Sequence, residues 1–162
     1  MSTRSQVIIK DRYNELWFYR HSDGYPGGVM PTLLKFIKWV REGKIRSDVE
    51  QGSGWLVMIG AEEYFEQDKE LFKSYPEHKY KEKMSIPSND KMCGWKVGAY
   101  EPSIPERHGD IAYIYFIDLV EKSIKGYKVG NEQEPVVISE PDKLQMVNDD
   151  GVLEDIKETD LK

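Results

Sequence analysis

Val7-Ile8-Ile9-Lys10-Asp11-Arg12-Tyr13-Asn14-Glu15-Leu16-Trp17-Phe18-Tyr19-Arg20 sets two apolar, strand-forming runs on either side of four turn-forming residues. Branched and aromatic side chains suit a pleated surface, and Asp and Asn end a ladder readily. The stretch, extended back to Thr3, therefore predicts an antiparallel hairpin. Its second strand flows into His21-Ser22-Asp23-Gly24-Tyr25-Pro26-Gly27-Gly28, where three glycines and a proline predict a loop.

Beyond that loop, Leu33, Leu34, Ile37 and Val40 alternate with Lys35, Lys38 and Arg41, and Gly43 follows. The spacing predicts an amphipathic helix from Pro31 to Glu42. Ser47-Asp48-Val49-Glu50 has the form of a capping box, which predicts a second helix through Trp55, Leu56, Ile59 and Tyr64. Gly52, Gly54 and Gly60 count against it, since glycine in a helix costs up to about 1 kcal/mol relative to alanine. Gln67 to Asp90 carries no sustained period and reads as a long surface loop. A strand is expected from Cys93 to Tyr100. Ile111 to Leu119 is apolar on both alternating faces and reads as a central strand, turning at Glu121-Lys122 into a hairpin partner, Ser123 to Val129.

Strands, then helices, then strands make the expected class α+β. The expectation is a mainly antiparallel sheet of about five strands, two hairpins plus one strand, with one or two helices on one face. Residues 1–129 are read as a single α+β domain. Residues 130–162 hold ten acids against three lysines and few aromatics, and are read as an acidic, partly disordered, flexible tail.

The formal charge of −6 is thus concentrated at the end of the chain, and no Lys/Arg stripe offers a footprint for nucleic acid. No stretch reaches the roughly 20 apolar residues that span a bilayer, and the start lacks a basic-then-apolar signal, so a cytoplasmic protein without a membrane is expected. The lone Cys93 excludes an internal disulfide and a Cys-rich zinc site, and reads as a small core residue beside Trp95. His78 reads as a solvated loop residue.

One tetrapeptide occurs twice: Arg20-His21-Ser22-Asp23 and Arg107-His108-Gly109-Asp110 use two of the three histidines. Each copy joins a fixed cation, an imidazole and a carboxylate, the side chains from which anion, metal and acid/base sites are built. His21 with Asp23 and His108 with Asp110 offer two nitrogens and two oxygens to a metal, but Arg20 and Arg107 would repel it. The same arginines favour phosphate or carboxylate, with Gly24 letting backbone approach the ligand and Tyr25 exposed beside it. The plainer alternative makes both segments turns, with each Asp capping backbone amides. The candidate ligand-binding residues are Arg20, His21, Asp23, Gly24, Tyr25, Arg107, His108 and Asp110, with His21 and His108 as candidate catalytic groups. No metal or cofactor is called for. The expected partner is a protein or a small anionic ligand, and the oligomeric state is left open.

Several resemblances follow from these residues. Leu16-Trp17-Phe18-Tyr19-Arg20-His21 resembles the strand of the histidine phosphatase superfamily that ends in Arg-His-Gly-Glu, with Ser22 where that family has glycine. His21-x-Asp23 and His108-x-Asp110 are similar to the paired His-x-Ser/Thr of the two-histidine phosphoesterases, with Asp replacing the hydroxyl. Ser2 followed by Arg20-x-x-Asp23 is faintly similar to Ntn hydrolases, whose N-terminal nucleophile uses its own α-amino group as base. Met1-Ser2-Thr3-Arg4, Tyr19-Arg20-His21-Ser22-Asp23-Gly24-Tyr25-Pro26 and His108-Gly109-Asp110 resemble a set of small uncharacterised phage, prophage and prokaryotic proteins over residues 1–129. That last resemblance implies an intracellular accessory role, one connected with phage-host conflict. The leading expectation is a non-enzymatic binding module. The second is a small phosphatase or phosphodiesterase using His21 and His108.

Overall fold

A computed structural model describes residues 2–74 and 98–161 of the chain. The architecture is α+β: a mixed eight-stranded sheet with two helices packed on one face. The expected first hairpin is β1 (Ser5–Lys10) with β2 (Glu15–Arg20), paired antiparallel from Ser5↔Arg20 to Lys10↔Glu15. Asp11 makes its turn, its Oδ1 accepting the N–H groups of Tyr13 and Asn14. After the helices come β3 (Glu101–Ser103), β4 (Tyr113–Asp118) and β5 (Ser123–Lys128), then β6 (Asn131–Glu140), β7 (Lys143–Val147) and β8 (Leu153–Asp155). The sheet order is β3-β2-β1-β4-β5-β6-β7-β8. Every pairing is antiparallel except β1 with β4, which run parallel with Ser5↔Tyr113 and Val7↔Tyr115. A parallel neighbour requires a crossover, and the two helices supply it.

Helix α1 spans Pro26–Arg41, five residues earlier than its apolar period announces. Pro26 takes the first helical position, where a missing N–H costs nothing, and Gly27 and Gly28 complete the first turn. The Gly/Pro stretch read as a loop to Gly28 is therefore helix from Pro26 onward. At the other end Gly43 adopts the left-handed φ of 68°, and Lys44 donates its N–H to the Trp39 carbonyl.

Helix α2 spans Val49–Ser74, so residues 67–74, expected in the long loop, are helical. Its cap is shifted by one from the Ser47/Glu50 reading: Asp48 accepts the Gln51 N–H, and Gln51 accepts the Arg46 N–H. Asp11 also accepts the Val49 N–H, joining the hairpin turn to the helix start. Two of the three glycines that argued against this helix, Gly52 and Gly60, are where it comes close to its neighbours, while Gly54 faces open space. A Cβ on Gly60 would stand 2.8 Å from the Tyr100 ring, and one on Gly52 3.2 Å from Ile9.

Val7, Ile9, Phe18, Tyr115, Ile117, Ile124 and Val137 share one face of the sheet by register, and bury against α1 (Val29, Met30, Leu33, Phe36, Ile37) and α2 (Leu56, Ile59). On the opposite face Ile8 and Ile114 are also buried, which is why β1 and β4 read as apolar throughout.

The count of about five strands falls short because the acidic stretch after residue 130 adds β6, β7 and β8 to the same sheet. Val137 pairs with Met146 and Ser139 with Leu144, placing these side chains on the core side, while the acids crowd turns and outer positions. Composition sees the excess charge and misses a period of two. Of the strand expected at Cys93 to Tyr100, residues 93–97 lie outside the described residues, as does His78; Gly98–Tyr100 form buried bends that lead into β3. Among the described residues no helix is long and apolar enough to cross a membrane.

Candidate functional site

Strand direction brings the two Arg-His-x-Asp copies together. β2 is antiparallel to β1 and β4 is parallel to it, so the exit of β2, the entry of β4 and the entry of β1 fall at one end of the sheet. The first copy leaves β2 there, and the second precedes β4. The residues just after each copy are stitched to those just ahead of β1: Gly24 donates its N–H to the Thr3 carbonyl, and Ala112 donates to the Arg4 carbonyl, each at 2.8 Å.

The meeting point is Tyr19, one residue before the first copy. The His108 ring stacks on the Tyr19 ring, with centroids 4.6 Å apart and planes at 23°. The His21 ring is tilted against the same tyrosine at 6.2 Å and 56°. The Tyr19 hydroxyl donates to Asp110 Oδ2 at 3.1 Å, and Arg4 Nε stands 3.3 Å from that same oxygen. Desolvation first, then the Asp110 carboxylate, pushes the Tyr19 phenol up to about 12, so it keeps its proton and remains the donor at neutral pH. Buried Gln6 holds the second copy in place, its Nε2 donating to the Glu106 carbonyl and its Oε1 accepting the His108 N–H.

The arginines of the two copies point to other work. Arg20 is 1% exposed. It donates two hydrogen bonds to the Glu63 carboxylate, at 2.8 and 2.6 Å, one to the Ser22 carbonyl and one to the Gly28 carbonyl. Its guanidinium also lies 5.3 Å from the Tyr100 ring centroid. Burial by itself would lower its pKa, but the Glu63 hydrogen bonds prevail and raise it. Arg107, half exposed, pairs with Glu132 at 2.6 Å.

Asp23 and Gly24 form the tight corner after His21. Asp23 takes a left-handed φ of 54°, and a Cβ on Gly24 would approach the Arg4 and Ser5 backbone to 2.8 Å. Gly24 is buried, with its carbonyl accepting the Tyr115 hydroxyl, so it shapes the corner from beneath. Tyr25 forms the N-cap of α1 and is 45% exposed.

No family model, no curated protein and no solved structure matches the chain. The site is therefore read from its own geometry. Of the expected residues, His21, His108 and Asp110 gather around Tyr19, Arg20 is enclosed, and Arg107 turns to β6. Among the described residues no three His, Cys, Asp or Glu side chains stand close enough together to hold a metal ion. Gln6 and Glu63, unmarked by any motif, and Arg4, marked only as the end of the Met1–Arg4 stretch, prove to be partners of the site residues. Tyr19 was legible only as one strand aromatic among several, and no spacing in the chain connects residue 4 with residue 110.

Proposed function

We propose that this protein is a non-enzymatic binding module that receives an anionic group, carried by a small molecule or by a protein partner, beside His21, Tyr19 and His108. The observation that carries the reading is the gathering of both imidazoles on one tyrosine at a partly exposed end of the sheet. Imidazole N–H groups and a guanidinium donate hydrogen bonds to phosphate or carboxylate oxygens. The rigid strands beneath them keep the ordering cost of binding low. An intracellular accessory role, with phage-host conflict as its setting, is part of the same proposal. Inorganic phosphate titrated into the protein, with the histidine ring signals followed by NMR, tests it. Saturable shifts of the His21 and His108 signals, lost in His21→Ala, are expected. Signals that do not move at millimolar phosphate refute the reading.

A second reading has one observation in its favour: two histidines flanking one point is also the arrangement of a phosphodiesterase that uses one imidazole as base and the other as acid. The purified protein would then hydrolyse bis(p-nitrophenyl) phosphate, and His21→Ala or His108→Ala would abolish turnover. A rate equal to that of buffer disposes of it.

A further inference from the structure

The proposed site needs a cation, and the two motif arginines are engaged elsewhere: Arg20 by Glu63 and backbone carbonyls, Arg107 by Glu132. Arg4 lies immediately ahead of β1, its carbonyl accepting the N–H of Ala112, two residues past the second copy, and its backbone packed against Gly24, the residue after the first. Its side chain is 35% exposed. Asp110 Oδ2 stands 3.3 Å from its Nε, at ion-pair distance, and that buried nitrogen makes no hydrogen bond. Asp110 Oδ2 already accepts the Tyr19 hydroxyl. Among the described residues the two terminal nitrogens of Arg4 have no hydrogen-bond partner. The forked edge formed by those two nitrogens is the edge with which a guanidinium grips an oxyanion, through two parallel hydrogen bonds.

We infer that Arg4 is the anion-binding cation of this site, and that its ligand is a phosphoryl group flanked by His21 and His108. Arg4 reaches both imidazoles through a short chain of contacts: Asp110, then Tyr19, then the two histidine rings. Three separate donors match the three terminal oxygens of a phosphoryl group better than the two oxygens of a carboxylate. Asp110 serves as the positioning residue, and phosphate binding draws the guanidinium into a second, stronger pairing. The inference rests on the binding reading above.

Calorimetric titration of the full chain with inorganic phosphate separates the two claims. Wild-type protein binds. Arg4→Gln weakens binding at least tenfold, and Arg4→Lys, which keeps the charge and loses the fork, weakens it less. Lys44→Gln removes one exposed positive charge away from the site and leaves affinity unchanged. Thermal unfolding run on each variant separates lost binding from lost fold. Wild-type binding with Arg4→Gln and Arg4→Lys both unaffected overturns the role of Arg4 while leaving the binding reading intact. Equal losses in Arg4→Gln and Lys44→Gln reduce the effect to general charge and also overturn it. No binding by the wild-type protein overturns the underlying reading and this inference together.

Discussion

Arg20 lies inside the molecule with its guanidinium spent on Glu63, Ser22 and Gly28, whereas Arg107 lies at the surface with one acid beside it. The same four-letter pattern thus has two different fates. Arg20 ends a strand whose last side chain faces the helices, so it must be fully paired to be tolerated there. Arg107 sits in a turn in front of a strand and faces water, where an ion pair contributes little. What the copies share is their histidines, which meet because Tyr19 stands between them.

Substitutions test how far the two arginines differ. The largest expected effect is on stability: Arg20→Met should cost about 3–5 kcal/mol in chemical denaturation, because Glu63 is left almost buried without its partner. Arg107→Met should cost less than about 1 kcal/mol. Replacing Arg20 and Glu63 together by apolar residues should recover much of the loss; similar costs for the two single variants would erase the contrast.

Next comes the alkaline limb. The Tyr100 phenol, beneath the Arg20 guanidinium, is pushed up to about 12 from 10.0, by burial foremost, so the native state holds a proton that the unfolded chain releases earlier. Its contribution is full below pH 10 and is lost as pH climbs towards 12, a fall on the order of 2–3 kcal/mol. Denaturation midpoints measured from pH 8 to 12 should decline only past 10, and Tyr100→Phe should flatten that decline.

The glycines carry the contrast to smaller effects. A Cβ on Gly28 would lie 2.3 Å from the Asp23 carbonyl oxygen, whereas one on Gly109 meets nothing within 4 Å. Gly28→Ala should therefore destabilise by about 1–3 kcal/mol through overpacking, and Gly109→Ala should stay within about 0.5 kcal/mol. Matching melting temperatures for the two would contradict the packed corner described for the first copy.

The smallest effect belongs to the shared centre. Tyr19→Phe removes the hydroxyl bonded to Asp110 and leaves the ring, so stability should fall by about 1 kcal/mol or less. The His108 ring signal should keep its upfield, ring-stacked position in the NMR spectrum of Tyr19→Phe and lose it in Tyr19→Ala.

Much of the fold was legible because it is written in short periods. Val7 to Arg20 carries its hairpin in alternation and turn residues, and Leu33 to Val40 carries α1 in its helical spacing. Where a period is hidden, the reading slipped. The start of α1 is spelled in Pro26, Gly27 and Gly28, residues that also spell a loop, and only the packing of Gly28 against Asp23 distinguishes the two. Asp48 rather than Ser47 caps α2, a shift of one that composition does not resolve. In β6 and β7 the apolar members of the alternation are sparse enough for charge to dominate.

The first hairpin, the body of α1 and the β4–β5 pair follow from the sequence alone, because hairpins and amphipathic faces depend on neighbours a few residues away. The sequence also marked His21 and His108 as the residues to examine. Long-range pairing settles that β4 lies parallel to β1, and with that, that the two histidines share one tyrosine, that Arg20 belongs to Glu63, and that Arg4 stands beside Asp110. Those outcomes depend on pairings across 43 to 108 positions of chain, for which no local propensity exists.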